Sequence, residues 1–452
     1  MENYLDRDRH YVGSFNIDGH QLQGEIIHNI QNGVILLAVR FELNSLEIFQ
    51  IKPSQNPSVI IGKLTNGTVV NLYNNSLIKN HTQNFQYQEL LYSIKNMIWS
   101  YKEFTNPQFN KLICEVENGL NWSNLTGIDT QKLTSIFIKD VAPKIVFWYN
   151  VKITFSTTIK NELLKWPRDE SCEVVERLLI SIESNEKKEV NFFTDIRDKI
   201  ISLISFAIKD NINITNQHFS DYNDYTNIGE NIKYTEYPFI DNVPMYNIHK
   251  THCFDYNFYL NYLAQDDQQL PQNLEKLAPI FNLYLSLFKY PHMPTEMIFL
   301  NIVQALETLH SRFFYNDNKN KYVQSVKDRF KEDSLQYKLL LSDTQIDPNC
   351  RYIILVSRLN DLLIRGKNDL FVKFYRDDSE FAQRIADTRH YYTHYGESKK
   401  NKALKDETLL DSIYILRLLL EYNVCEILNI DISQSVANSL HCYGSDKSGF
   451  KK

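Results

Sequence analysis

The sequence predicts an α+β chain of more than one domain, strand-rich first and helical afterwards. Three observations predict it. Short runs of β-branched and aromatic residues bounded by turn signals fill the first third of the chain. From about Pro271 onward apolar residues recur at helical spacing. A length of 452 residues also exceeds one ordinary domain and leads to an expectation of roughly two to three. No internal repeat and no Gly/Ser linker separates the halves, so the boundary falls in 250–270. The organisation expected is a strand-rich region over 1–265, a helical bundle over 266–432 and a flexible tail over 433–452. A break near 160–215 would divide the first region into two subdomains.

The elements follow in order. "QGEIIHNIQNGVILLAVRFEL" holds two apolar runs around Asn32-Gly33, and "SVIIGKLTNGTVVNLYN" repeats the arrangement around Asn66-Gly67. Asn-Gly is the preferred type I′ hairpin turn, because both central residues need positive φ. Gly13, Gly19, Gly24 and Gly33 read as hairpin and bulge positions, since no G-x-G-x-x-G or P-loop is formed. "SIFIKDV" and "KIVFWYNVKITFSTT" add strands, and the set fits an antiparallel sandwich or an open barrel. "CEVVERLLISIES" fits a strand or a short helix. "EVNFFTDIRDKIISLISFAIKD" has the helix period, with Phe193, Ile196, Ile200, Leu203 and Ala207 on one side.

The second half reads as a succession of helices. "PQNLEKLAPIFNLYLSLFKYP" starts with Pro in its first turn and stops at Pro291. "MPTEMIFLNIVQALETLHSRFF" takes Thr295 as N-cap and carries the apolar stripe Ile298, Ile302, Ala305, Leu309. "KYVQSVKDRFKEDSLQYKLLLS" and "RYIILVSRLNDLLIRG" each read as a helix. "SEFAQRIADTRHYYTHYG" runs from a Ser379 cap to a Gly396 stop, and "TLLDSIYILRLLLEYNVCEILNI" closes the bundle.

Composition narrows the function. A net charge of −6 means that any nucleic-acid site is a local patch, not a whole-chain property. Six cysteines without a C-x-x-C pair fit neither a disulfide framework nor a zinc knuckle. "NIHKTHCFD" groups His249, His252 and Cys253, but a metal site needs a second cluster, so neither a metal nor another cofactor is expected. The charged start and the absence of a long apolar run lead to an expectation of no leader and no membrane span, hence a cytoplasmic protein.

The chemistry concentrates in "DTRHYYTHYG". Arg389 and His394 lie five residues apart, about 140° around a helix axis. They converge on one ligand only where the helix ends or bends, or where two copies of the helix meet. A guanidinium binds phosphate bidentately, and imidazole serves as base or acid near neutral pH. Glu307 fits either of two readings, a group that orients Arg389 or a histidine and a residue of a solvated helix face, while Asp387 is expected to pair with Arg384. Lys399, Lys400, Lys402 and Lys405 form a basic patch suited to an RNA backbone. Tyr391, Tyr392 and Tyr395 offer rings for bases or for the core.

"RHYYTHYG", late in a helical bundle, resembles the R-x4-6-H signature of HEPN ribonucleases. "LNIVQALETLHSRFF" is similar to the "ALE" helix of ApeA-type HEPN domains, and "VGSFNIDGHQLQGEII" to the ApeA N-terminal region. The resemblance, to the ApeA family of anti-phage defence proteins, implies a metal-independent endoribonuclease kept inactive until infection, acting abortively as a homodimer. It implies Arg389 and His394 as catalytic residues, with His390, Glu307 and Tyr395 in support. RNA is the substrate class it implies, and a phage-derived molecule the trigger. The H-x-Y pattern of tyrosine-modified HEPN toxins is missing, because Tyr395-Gly396 follows His394. The alternative is a HEPN-type bundle that dimerises and binds RNA or protein without cutting.

Overall fold

In the computed structural model the described residues are 8–29, 35–42, 53–83, 87–100, 103–104, 106–116, 123, 125, 128–129, 137–138, 141–148, 150–163, 172–220, 232–236, 259–261, 263, 269–290, 292–315, 318–332, 334–341, 353–365, 371 and 380–440. The chain divides into a strand-rich unit (Met1–Asp198, Ile212–Asn247, Leu260–Ala264) and a helical unit (Lys199–Asn211, Ile248–Tyr259, Gln265–Lys452).

Six strands close the barrel of the first unit: β1 (Asp8–Ile17), β2 (His20–Asn29), β3 (Ile35–Glu42), β4 (Val59–Leu64), β5 (Val69–Gln83) and β6 (Tyr87–Ser100). They pair antiparallel in the order β6-β3-β2-β1-β4-β5, and β5 returns to β6. The expected strand-rich region is present, and its barrel is closed where an open one or a sandwich was expected. Period-2 alternation drives it: β3 and β6 bury every second residue, so Leu37, Val39, Leu90 and Tyr92 meet Phe15 and Ile26 inside.

The glycines divide by role. Asp18 (φ 51) and Gly19 (φ 86) make the two-residue turn between β1 and β2. Gly13 and Gly24 face one another in the β1–β2 pair and are not bulges. A Cβ on either would lie under 3 Å from the backbone of the next strand, at Lys63 O or Ala38 O. Of the two Asn-Gly pairs, Asn32-Gly33 lies outside the described residues. Asn66-Gly67 is not a type I′ turn: only Gly67 has positive φ, and its N–H donates to Leu64 O. This is the three-residue loop in which glycine takes the left-handed position, and the Asn66 side chain accepts from Thr68 N–H.

Beyond β6 the sheet continues through β14 (Ile232–Glu236), β13 (Ile214–Ser220), β7 (Gln108–Val116), β12 (Cys172–Glu189) and β11 (Val151–Leu163) to β10 (Lys144–Trp148). A small pair, β8 (Ile128–Asp129) with β9 (Phe137–Ile138), stands apart. The ambiguous "CEVVERLLISIES" is therefore strand. Helix α1 (Val190–Ile208) follows, with Phe193, Ile196, Ile200, Leu203 and Ala207 all buried. Its second half, from Lys199, counts with the helical unit, which the expected 1–265 boundary did not capture.

The helical unit contains α2 (Gln269–Lys289), α3 (Thr295–Phe313), α4 (Lys319–Arg329), α5 (Leu335–Leu340), α6 (Leu355–Arg365), α7 (Phe381–His394), α8 (Glu397–Lys400) and α9 (Asp406–Ile427). Thr295 is the first helical residue of α3, and Pro294 holds the cap position without a side-chain hydrogen bond. "KYVQSVKDRFKEDSLQYKLLLS" is two helices, because Phe330 is extended and Ser334 caps the second by accepting from Tyr337 N–H. Residues 433–440 are helical rather than a loose tail: Val436 is buried and Tyr414 Oη donates to Ser439 O. Among the described residues no helix is long and apolar enough to cross a membrane.

Candidate functional site

Helix α7 is amphipathic at its start and polar at its end. Phe381, Ala382, Ile385 and Thr388 are buried, spaced at three and four residues. The helix stops one residue earlier than the Gly396 signal indicates. Tyr395 takes the left-handed conformation (φ 50) and donates its N–H to Tyr391 O at 2.5 Å. Gly396 has φ −69 and instead leads into α8. A non-glycine residue in this region costs on the order of 1 kcal/mol and is retained where its surroundings over-determine it.

Those surroundings are identifiable. The returning chain is fastened to α7 at both sides of Leu404: its N–H donates to Thr388 Oγ1 (3.0 Å), and its carbonyl accepts from Tyr392 Oη (3.0 Å). Burial, then the Glu296 carboxylate, push the Tyr392 phenol up, so it remains a donor. Lys399 Nζ lies 2.5 Å from Asp387 Oδ1 and ties α8 to α7. Asp387 therefore pairs with Lys399, and with Gln383, where Arg384 was expected. The helix tip is held from several directions, which is what a site needs if its side chains are to be pre-organised.

The tip presents two sets of polar side chains. His390 and His394, one turn apart and exposed, have ring centroids 4.9 Å apart. Around the helix from them, Arg389 Nη2 lies 3.4 Å from Glu307 Oε2 of α3, with 40% and 32% of the side chains exposed. Arg389, Glu307, Tyr392 and Thr393 line a groove of about 670 Å³ whose lining also includes Arg312 and Arg358. His390 and His394 are not among its lining residues. Sequence reasoning placed Glu307 beside Arg389, and the two side chains do meet. A single chain does not bring Arg389 and His394 onto one face.

The remaining sequence candidates fall as follows. Tyr395 is 67% exposed and packs edge-on against Tyr391. Tyr392 packs against Phe299. Lys399 is engaged by Asp387, and Lys400 lies 3.3 Å from Glu397 of its own helix, which leaves Lys402 and Lys405 as exposed lysines of the expected patch. His249, His252, Cys253 and Ser379 lie outside the described residues. Among the described residues no group of His, Cys, Asp and Glu could hold a metal.

Sequence reasoning missed a second constellation of similar residue types. Asp361 of α6 accepts from Arg329 (2.9 Å), Arg365 (2.9 Å) and His310 Nε2 (2.9 Å), and both His310 and Asp361 are fully buried. Burial alone would raise the Asp361 carboxyl, but the His310 hydrogen bond and the two guanidiniums hold it well below the usual carboxylate range. Burial pushes His310 down; Asp361 opposes this, and Arg358 and Arg365 add to it. His310 Nδ1 has no hydrogen-bond partner among the described residues. Protonation would turn that acceptor into a buried unsatisfied donor, so the imidazole stays neutral with its proton on Nε2. The signal was legible in "RYIILVSRLNDLLIRG": Arg358, Asp361 and Arg365 recur at helical spacing within an apolar run.

Fold and helix tip together define a two-part protein in which a helical HEPN-type bundle follows a barrel-bearing region. A family model described as ApeA N-terminal domain 1 matches residues 10–273, and one described as Apea-like HEPN matches residues 300–432. The chain belongs to the ApeA family and has a C-terminal HEPN domain, the domain pair of an anti-phage defence effector. No curated protein and no solved structure matches it.

Proposed function

We propose that the protein is a metal-independent HEPN endoribonuclease, held inactive until infection and abortive in its action. The observation that supports this reading is the end of α7, which carries an exposed His390–His394 pair on one face and the half-exposed Arg389, paired with Glu307, on another. In this mechanism one imidazole takes the proton from a ribose 2′-OH as O2′ attacks the adjacent phosphorus. The Arg389 guanidinium stabilises the charge on the phosphorane. A second imidazole protonates the departing 5′-oxygen, leaving a 2′,3′-cyclic phosphate and a 5′-OH. Because Arg389 and His394 point to different faces, the complete set is assembled from two chains. HEPN domains commonly dimerise, and in a homodimer the arginine of one tip can meet the histidine of the other.

The test is the chemistry of the ends. An RNA with a single 2′-deoxy substitution at a mapped cleavage site should resist cutting there and remain cleavable elsewhere. Products should carry cyclic phosphate. Cleavage that tolerates the 2′-deoxy position contradicts the mechanism. Tight RNA binding without cleavage, even in infected cells, would favour a binding module instead.

A further inference from the structure

We propose that the α3–α7 groove is a track for the single-stranded RNA that flanks the cleaved phosphate, with Arg312 and Arg358 as phosphate-binding residues. This rests on the ribonuclease reading and extends it away from the helix tip.

The groove has a chemical polarity. Three guanidiniums, Arg312, Arg358 and Arg389, line it against one carboxylate, Glu307, which is already engaged with Arg389. The lining is thus cationic in a chain whose net charge is −6. Arg358 is only 5% exposed, and its Nε donates to Ile353 O at 3.0 Å, so its position is fixed. Arg312 is exposed and donates to Lys276 O at 3.4 Å, a weak hold that leaves the guanidinium able to turn to an incoming anion. Guanidiniums of this kind bind phosphate bidentately.

Other lining is suited to bases. Met297, exposed, and the half-buried Tyr392 offer apolar and aromatic surface beside the cations. Cations paired with aromatic and apolar faces are the arrangement that holds single strands with little sequence preference. From Met297 to Arg312 the groove-lining residues of α3 recur every three or four positions along the face opposite its buried stripe. That face is about 22 Å long at 1.5 Å per residue, enough for several nucleotides rather than one. Arg389 meets Glu307 within that face, so a strand lying in the groove passes its guanidinium.

The test uses the full-length protein and a fluorescein-labelled 2′-O-methyl oligonucleotide, whose blocked nucleophile prevents cutting. Anisotropy titrations at several salt concentrations compare wild type, Arg312→Glu and Arg358→Lys, each checked by thermal melting and solution mass. The expected result is roughly tenfold weaker binding for Arg312→Glu, and a log–log salt slope shallower by about 0.7 for each phosphate that is no longer neutralised. Arg358→Lys, which keeps the charge but loses the fork, should weaken binding without altering the slope. If wild type binds and cuts RNA and both variants bind equally well, the track is wrong while the ribonuclease reading stands. If wild type binds no RNA, both fall. If Arg312→Glu instead changes the solution mass, the groove is an interface between copies of the chain.

Discussion

Two regions of the helical unit gather histidine, arginine and carboxylate side chains, and they are built in opposite ways. Around Asp361 the carboxylate and the His310 imidazole are fully buried, and both carboxylate oxygens are engaged, by His310 and by the Arg329 and Arg365 guanidiniums. At the end of α7 His390 and His394 are exposed, and Arg389 is half-exposed and loosely paired with Glu307, at 3.4 Å. A fully buried carboxylate and imidazole that are bonded to each other are out of a substrate's reach. An exposed set held in place by its backbone stays within it. Burial and satisfaction, not residue type, separate a structural cluster from a chemical one.

The sharpest way to separate the two is to remove one residue from each. His394→Ala should lower RNA cleavage by roughly 10²–10⁴-fold, the usual contribution of a general acid or base. Its melting temperature should stay close to that of wild type, since the ring is exposed. Asp361→Ala should do the reverse. It strands two guanidiniums beside a buried imidazole and should cost about 3–5 kcal/mol in denaturant unfolding, with activity falling only as the folded fraction falls.

Acidity offers a finer contrast. His310 is held below its ordinary value in the folded state, so the unfolded chain binds its proton first as pH falls. Stability should therefore decline as pH drops through the mid-sixes, and His310→Gln should flatten that decline in melts across pH ~7.5–5.5. Asp361, held low, contributes stability that is lost only at far more acidic pH, below about 4. A decline that survives in His310→Gln would put the titrating group elsewhere. The smallest effect expected is that of Lys399→Met. The Asp387 pair is partly exposed, so its loss should cost no more than about 1 kcal/mol, read from the unfolding midpoint.

Much of this was legible in the sequence, for physical reasons. The apolar stripe of α1, that of α3 apart from the half-buried Ile298, and the alternation of β3 and β6 are one-dimensional records of burial, and they placed the elements. Barrel closure was not legible, because the return of β5 to β6 and the close approach at Gly13 and Gly24 are matters of three-dimensional register. The end of α7 was misplaced by one residue. Glycine is the ordinary left-handed residue, and nothing local marks Tyr395 as taking that role. Arg389 and Glu307 were brought together by family resemblance; their spacing of 82 residues could not have done so. The break between α4 and α5 was hidden because "RFKEDS" keeps a helical composition through the interruption.

The central claim is that the tip of α7, and not the buried cluster, carries the chemistry. The most direct measurement is the RNA cleavage rate, in EDTA and with phage-infected cell extract added as the source of the trigger, of wild type, His394→Ala and His310→Gln, each corrected for its folded fraction. The account predicts cleavage by wild type and His310→Gln at similar corrected rates and by His394→Ala roughly 10²–10⁴-fold more slowly. A His394→Ala protein that cuts as fast as wild type would contradict it.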